Sequence, residues 1–572
     1  MSFSPDINVH ASSNNRSPLK TVMTRWVALL GLVTMISSLV GVVLNFSEVP
    51  YMDQWNGYLG FWREIQNGHW SAWWRQHNEH RIIVSRLLFW LDIKYFDGLN
   101  IFTVLMNCVL QVALAGTFLI AYCRLQSRKI SFVLVVGVVA VLRFSWMQGE
   151  NWTWGFQSQF IAVYLFAVLA FLSNSMLVER RYGGLVNSMP VLFCALASGS
   201  MSNGLLALPV LVLQAIALRR NKKTIIFFCV ASAVIWLLYF IGYEQPKYHA
   251  SPLDGVIHHF PQVTQFFLIF LGGPAYFLSG SAELAMVTGA IVLLSTLGVA
   301  GVLLVRGAMN PYRTMLIATF GFATLSAFAA STGRWNFGIE AAEATRYMTP
   351  ALLSWLACVL LFLDILIGSA FWMFTAFLAL IVLPGVVFYQ IHIADHDPQI
   401  FYRRVGVLSL KMGVDDFAYT DWLYPRSMHA ELRDLATYSN MHALSVFGHS
   451  LLSEVGQVHF SQASAVSRSC KGSLDSIVVA GSVRRLGGWV SFPQVRKAIL
   501  IVLVDEQNDT VGYGVSGDLR PDVDRVVPGV EQNSGWVGYV RGGHGAVRAY
   551  AFRDGIFCPL ATVANVQTGP TG

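Results

Sequence analysis

Charge is scarce in this 572-residue sequence. Asp, Glu, Lys and Arg make up 12% of it, about half the share of a soluble domain. That excludes an ordinary soluble enzyme, a disordered chain and a coiled coil. Cysteine is sparse too, with seven residues and no zinc-like spacing. No run of basic residues is interleaved with aromatics, which argues against nucleic acid as a partner. No internal repeat occurs, which argues against a transporter built from duplicated halves. What is abundant is apolar: 55% of the residues are hydrophobic, including 38 Phe and 17 Trp, and the mean hydropathy is +0.52. Such a chain uses the lipid bilayer as solvent over much of its length. The net charge of +7 fits the basic bias of cytoplasmic loops.

Residues 1–22 read as a polar cytoplasmic tail. The apolar run that follows has Lys20 and Arg25 at its front and no small-x-small site behind it. It is therefore expected to be a retained span and not a cleaved signal. Apolar segments recur at 26–46, 99–122, 130–146, 160–178, 185–196, 205–218, 224–243, 263–277, 284–305, 315–330, 352–367 and 371–391. They predict a polytopic α-helical membrane domain over 23–391 with about 11–12 spans. Basic clusters at 124–129, 179–181, 219–223 and 306–313 mark cytoplasmic loops. They agree with one another if 263–277, interrupted by Gly272, Gly273 and Pro274, does not fully cross. The C-terminal part then lies outside. Residues 392–440, opening with His392, Asp395, His396 and Asp397, read as a linker. Residues 441–572 carry short β-rich runs and turn signals, the pattern of a small β-sandwich. A Cys470–Cys558 disulfide would staple its first and last strands; two buried thiols are the alternative. Trp489, Trp536 and Tyr539 either stack on carbohydrate or fill the sandwich core.

The external loop 46–98 holds the densest chemistry. Asp53 sits just past the first span. Trp55, Leu59, Trp62 and Ile65 recur every three or four residues, as on one face of an interfacial helix. Trp70, Trp73 and Trp74 extend this aromatic belt. The loop closes on His77, Asn78, Glu79, His80 and Arg81. Charged groups this close to lipid are costly to keep, which makes Asp53, Glu79, His80 and Arg81 candidates. In the late loop 331–349, Arg334 and Arg346 stand ready to grip phosphate oxygens bidentately, with Tyr347 beside them. The alternative is structural pairing with Glu340 or Glu343. Arg143 lies inside an apolar run, where a charge is functional by default unless it snorkels. Glu150 follows it. His249, His258 and His259 with Asp254 fit no strong metal template.

A first span, a long external loop opening on an acid, and many further spans resemble the GT-C superfamily of membrane glycosyltransferases. Tyr-Met-Asp-Gln-Trp at 51–55, His-Asn-Glu-His-Arg at 77–81, Trp-Gly-Phe-Gln at 154–157, Ser-Asn-Gly-Leu-Leu at 202–206 and Thr-Arg-Tyr at 345–347 are similar to bacterial members. The tail resembles β-domains appended to such proteins, through Gly488 and Trp489, Gly512 to Gly514, Arg520 to Val523, and Gly535 and Trp536. The resemblance implies hexosyl or pentosyl transfer from a polyprenyl-phosphate carrier to a cell-envelope glycan or lipid. It places this on the periplasmic face of a bacterial inner membrane, with Asp53 as catalytic base and late-loop arginines neutralising the carrier phosphate. Together with the residues above, the expected site has Asp53 and Glu79 as catalytic carboxylates. His80, Arg81, Arg143, Glu150, Arg334, Arg346 and Tyr347 would bind donor phosphate and substrate. Some members use a divalent cation, but the first loop holds no Asp-x-Asp. Two rivals remain. A flippase or transporter would need polar residues along its spans, whereas charge here gathers at one face. An O-antigen ligase or polymerase would rest on Arg and His of a late loop.

Overall fold

The computed structural model describes residues 18–126, 130–178, 184–246, 251–366, 385–388, 390–391, 397–480, 483–492, 498–541 and 545–569. The expectations placed on His249, His392, Asp395, His396, most of 371–391 and most of the N-terminal tail lie outside them.

Among the described residues, eight helices are long and apolar enough to cross a bilayer: Thr21–Leu44, Ile101–Leu125, Phe132–Thr153, Gly155–Met176, Lys222–Phe240, Ala282–Val305, Pro311–Phe337 and Thr345–Leu366. Three more apolar helices are shorter: Ser188–Ser198, Ser202–Ala217 and Phe260–Leu271. At ~1.5 Å per residue these reach roughly 17–24 Å, short of a hydrocarbon core of about 30 Å. The expected 11–12 spans thus resolve into full crossings and half-length pieces. The break expected within 263–277 is present. Phe260–Leu271 stops at Gly272, and a new helix, Gly273–Ser279, starts with proline in its first turn. An added Cβ at Gly272 would lie 1.8 Å from the Ala285 carbonyl oxygen, so only glycine fits against the neighbouring helix.

The apolar residues sort by position in the bundle. Gly155–Met176 is buried along most of its length. Lys222–Phe240 and Ala282–Val305 turn large apolar side chains outward, Leu237 at 72% and Leu294 at 67% exposure, as lipid-facing helices do. The first helix, Pro18–Leu44, lies directly on Phe132–Arg143. A Cβ at Gly137 would stand 2.7 Å from the Val27 carbonyl oxygen, the close backbone approach that small residues permit in membranes.

Two expectations about the polar parts are corrected. Trp55, Tyr58 and Leu59 do not face lipid. They are buried in one core with Leu432, Leu435 and Phe447 of the C-terminal part. Residues 397–440 are not a linker. They include the helices Gln399–Lys411, Phe417–Thr420 and His429–Met441. Phe401, Val405 and Leu408 bury one face of the first of these against the sheet beyond it.

That sheet has nine strands: β1 (Ala465–Val466), β2 (Lys471–Ala480), β3 (Val483–Ser491), β4 (Leu500–Val504), β5 (Thr510–Asp518), β6 (Gly535–Arg541), β7 (Arg548–Arg553), β8 (Ile556–Pro559) and β9 (Ala561–Gly569). They form one hydrogen-bonded order, β1-β8-β7-β4-β5-β6-β3-β2-β9, where two packed sheets were expected. β1 pairs with β8 and β2 with β9 in parallel; the other neighbours are antiparallel. Cys558 on β8 is disulfide-bonded to Cys470 just before β2, with Cα atoms 6.1 Å apart. These strands stand six positions apart in the order, about 29 Å at ~4.8 Å per strand if the sheet were flat. The sheet therefore curls on itself. The bond joins β8 to the entrance of β2, and not the first strand to the last. Leu474, Leu486, Ile501, Leu503 and Trp536 fill the concave side. Leu500, Val502 and Val504 face the helices instead, so β4 is apolar at every position. Trp536 and Tyr539 are fully buried, which removes them as sugar-stacking faces; Trp489 is half-buried.

Candidate functional site

Three loops converge at one end of the bundle. In the first, His77 and His80 close a tight turn through two backbone hydrogen bonds of 2.8 and 2.9 Å. Asn78 takes φ +48° there, a left-handed value that asparagine tolerates. The turn brings His77 Nε2 to 3.7 Å from Asp53 Oδ2. Asp53 is set from the other side. Met52 also adopts φ +48°, and its N–H donates to the Leu423 carbonyl at 2.8 Å. Burial pushes the Asp53 carboxyl up and Glu79 adds to this. The imidazole of His77 beside it, together with Arg346, outweighs both and holds it below the usual carboxylate range.

The second cluster is a linked set. Arg334 Nη2 donates to Glu79 Oε1 at 2.5 Å, and its Nη1 donates to the Tyr347 hydroxyl. His80 Nε2 lies 3.3 Å from Glu79 Oε1, and its Nδ1 lies 2.8 Å from the Ser202 hydroxyl. Arg334 thus pairs with the first loop and not with Glu340 or Glu343. The third cluster surrounds Arg346. Glu150 Oε2 accepts from the Arg346 backbone N–H and the Thr345 hydroxyl, each at 3.0 Å. The Arg346 guanidinium is 3.6 Å from Glu150 Oε1 and its side chain is 34% exposed, against 18% for Arg334. Arg346 is therefore the more accessible of the two cations.

Two cavities flank these groups. One, of about 630 Å³, has a polar end of Glu79, His80, Ser202, Asn203, Arg334 and Tyr347. Its wall is apolar, made by Phe160, Leu205, Leu206, Trp236 and Phe270. The other, of about 400 Å³, is mostly polar and aromatic, with Tyr51, Gln54, Glu150, Trp154, Gln399 and Arg403 among its lining. Thr345 lines the second cavity and Tyr347 the first, so the segment carrying Arg346 divides them. Asp53 stands in the chain between Tyr51 and Gln54, which line the second cavity.

Two sequence candidates are held elsewhere. Arg81 is buried and donates to the carbonyls of Trp74, Tyr239 and Ile241 at 2.5, 2.8 and 2.6 Å. It ties the loop to the helix Lys222–Phe240. Arg143 is fully buried and does not snorkel. It donates to the Thr349 carbonyl at 3.2 Å and to Gln111 Oε1 at 2.5 Å. Thr349 in turn accepts from Asn151, which also holds the Arg346 carbonyl at 2.9 Å. Arg143 thus braces the end of the late loop directly, at Thr349, from inside the bundle. His259 stacks on Trp335 at 3.7 Å. Among the described residues no group of three or more His, Cys, Asp or Glu is arranged to hold a metal ion.

Sequence reasoning missed Tyr51 and Arg403 as site residues. Arg403 lies over the Tyr51 ring at 4.8 Å and pairs with Asp397 at 3.3 Å. Nothing local in the sequence ties a residue of the supposed linker to the first loop.

No protein-family model matches this sequence, and no curated protein matches it. Among solved structures, the chain is similar to the archaeal oligosaccharyltransferase AglB from Archaeoglobus fulgidus in complex with an inhibitory peptide and a dolichol-phosphate. The two share 14% identity with a TM-score of 0.40, over 70% of this chain and 59% of that one. The chain therefore spans under two thirds of that structure's length.

Proposed function

We propose that this protein is a membrane glycosyltransferase of GT-C type. It moves a sugar from a polyprenyl-phosphate carrier to a cell-envelope glycan or lipid acceptor. The observation that carries this reading is an amphipathic cavity whose polar residues Glu79 and His80 belong to the same tight turn as His77, which stands 3.7 Å from Asp53. Leu205, Leu206 and Trp236 suit a prenyl chain, and the Glu79–Arg334–Tyr347 end suits the sugar phosphate. In the reaction, the acceptor hydroxyl oxygen attacks the anomeric carbon while the bond from that carbon to the carrier phosphate oxygen breaks. The hydroxyl proton passes to Asp53. The charge left on the carrier phosphate is met by Arg346. The Cys470–Cys558 disulfide suits an oxidising compartment, which supports a site on the periplasmic face of a bacterial inner membrane.

Membranes containing the protein, given a polyprenyl-phosphate hexose or pentose labelled in the sugar, should move label off the lipid. Asp53→Asn should slow this by about 10²- to 10⁴-fold with an unchanged melting temperature. Near-normal transfer by a folded Asp53→Asn protein overturns the assignment.

A further inference from the structure

Resting on that reading, we propose that the 400 Å³ cavity binds the acceptor, and that the acceptor presents an uncharged sugar residue. Three features lead there.

The first is charge. Every ionised group in the wall is matched: Glu150 by Arg346 at 3.6 Å and Asp397 by Arg403 at 3.3 Å. A charged ligand would have to break one of these pairs without a replacement partner.

The second is the surface offered. Tyr51 and Trp154 stand edge to face with ring centroids 5.2 Å apart. The Trp154 indole N–H donates to the Tyr51 carbonyl at 3.2 Å, which fixes the ring. One face of each ring is taken, Tyr51 by Arg403 at 4.8 Å and Trp154 by Phe156 at 5.8 Å; the rigid aromatic surface that remains, beside polar groups, suits the C–H face and the hydroxyl rim of a pyranose.

The third is hydrogen bonding. Gln54 and Asn100 hold each other at 2.5 Å. The Tyr51 hydroxyl and the Gln399 carboxamide line the same cavity and make no side-chain hydrogen bond among the described residues. They offer donors and acceptors to a neutral polyol. Gln399 and Arg403 belong to the helix Gln399–Lys411, so with Asp397 the C-terminal part supplies one side of this wall.

The test uses the detergent-solubilised full chain, fluorescently labelled, on a printed array of neutral oligosaccharides, anionic oligosaccharides and unglycosylated peptides. Saturable binding confined to neutral glycans is expected. Tyr51→Phe, which removes one hydroxyl, should weaken it about fivefold, as should Gln399→Ala, while Trp489→Ala on the curled sheet binds as the parent does. Preference for anionic glycans or peptides, or no glycan binding, overturns the proposal, as does binding that both variants leave intact. Glycan binding together with normal transfer by Asp53→Asn sinks the base assignment and leaves this site standing. Loss of transfer in Asp53→Asn without any neutral-glycan binding sinks this site alone.

Discussion

The two ends of the loop 46–98 answer to different neighbours. Its start belongs to the C-terminal part. Glu48 pairs with Arg404 at 3.2 Å, Met52 donates to Leu423, and Trp55, Tyr58 and Leu59 share a core with the helices beyond residue 397. Its end belongs to the membrane bundle. Arg81 is tied to the carbonyls around Tyr239, Glu79 to Arg334, and His80 to Ser202. Asp53 and His77 meet across this seam. The proposed base and the imidazole that orients it are thus positioned from opposite sides, so the geometry of the pair reports on both attachments at once.

Breaking the start should cost most. Trp55→Ala removes a fully buried indole and should lose about 3–5 kcal/mol on unfolding. Transfer should fall with it, because the segment bearing Asp53 is freed. A melt within a degree of the parent would show that the C-terminal core does not hold this loop. Arg346→Ala leaves both attachments in place and should lower kcat by about 10²- to 10³-fold with little change in melting temperature. Equal loss of donor binding and no loss of kcat would assign Arg346 to ground-state binding. Arg81→Ala cuts only the far end. It leaves three carbonyls without a donor and should destabilise by about 2–3 kcal/mol. Proteolysis should then open the loop near residue 77 before the C-terminal helices, and the reverse order would contradict the division drawn above.

The smallest effect is on pH. Burial raises the Asp53 carboxyl, but His77 and Arg346 lower it further. A depressed folded value makes the stability from ionised Asp53 complete above the ordinary carboxylate range near ~3.9. It is lost as pH falls through the lower folded value. Melting curves taken downward through about pH 4 should show His77→Gln weakening at a higher pH than the parent. Superimposable profiles would remove His77 as the partner.

Several features were legible without coordinates, each for a local reason. The long spans follow from composition alone, and the break at Gly272 and Pro274 from backbone chemistry. Asp53, Glu79, Arg334 and Arg346 stood out because charge is rare in this chain and these lie beside apolar runs. The pairing of Arg334 with Glu79 was not legible, since 255 residues separate them. The Trp55 face was misassigned because a helical apolar stripe looks the same whether lipid or protein covers it. The helix His429–Met441 escaped because its buried strip is narrow and partly polar: Leu432, Leu435 and Ala436 with His429 and Ser439.

The residue order by itself determined that this chain enters a membrane, where its long apolar stretches lie, and that acids and arginines cluster at their mouths. Those properties depend on neighbours within a turn or two, where hydrophobic transfer and backbone sterics act. Only the tertiary structure decided which arginine meets which carboxylate, that the C-terminal helices grip the first loop, and that two cavities of opposite character lie either side of Arg346. Such choices are made by packing and charge pairing between segments hundreds of residues apart, and no local pattern encodes them.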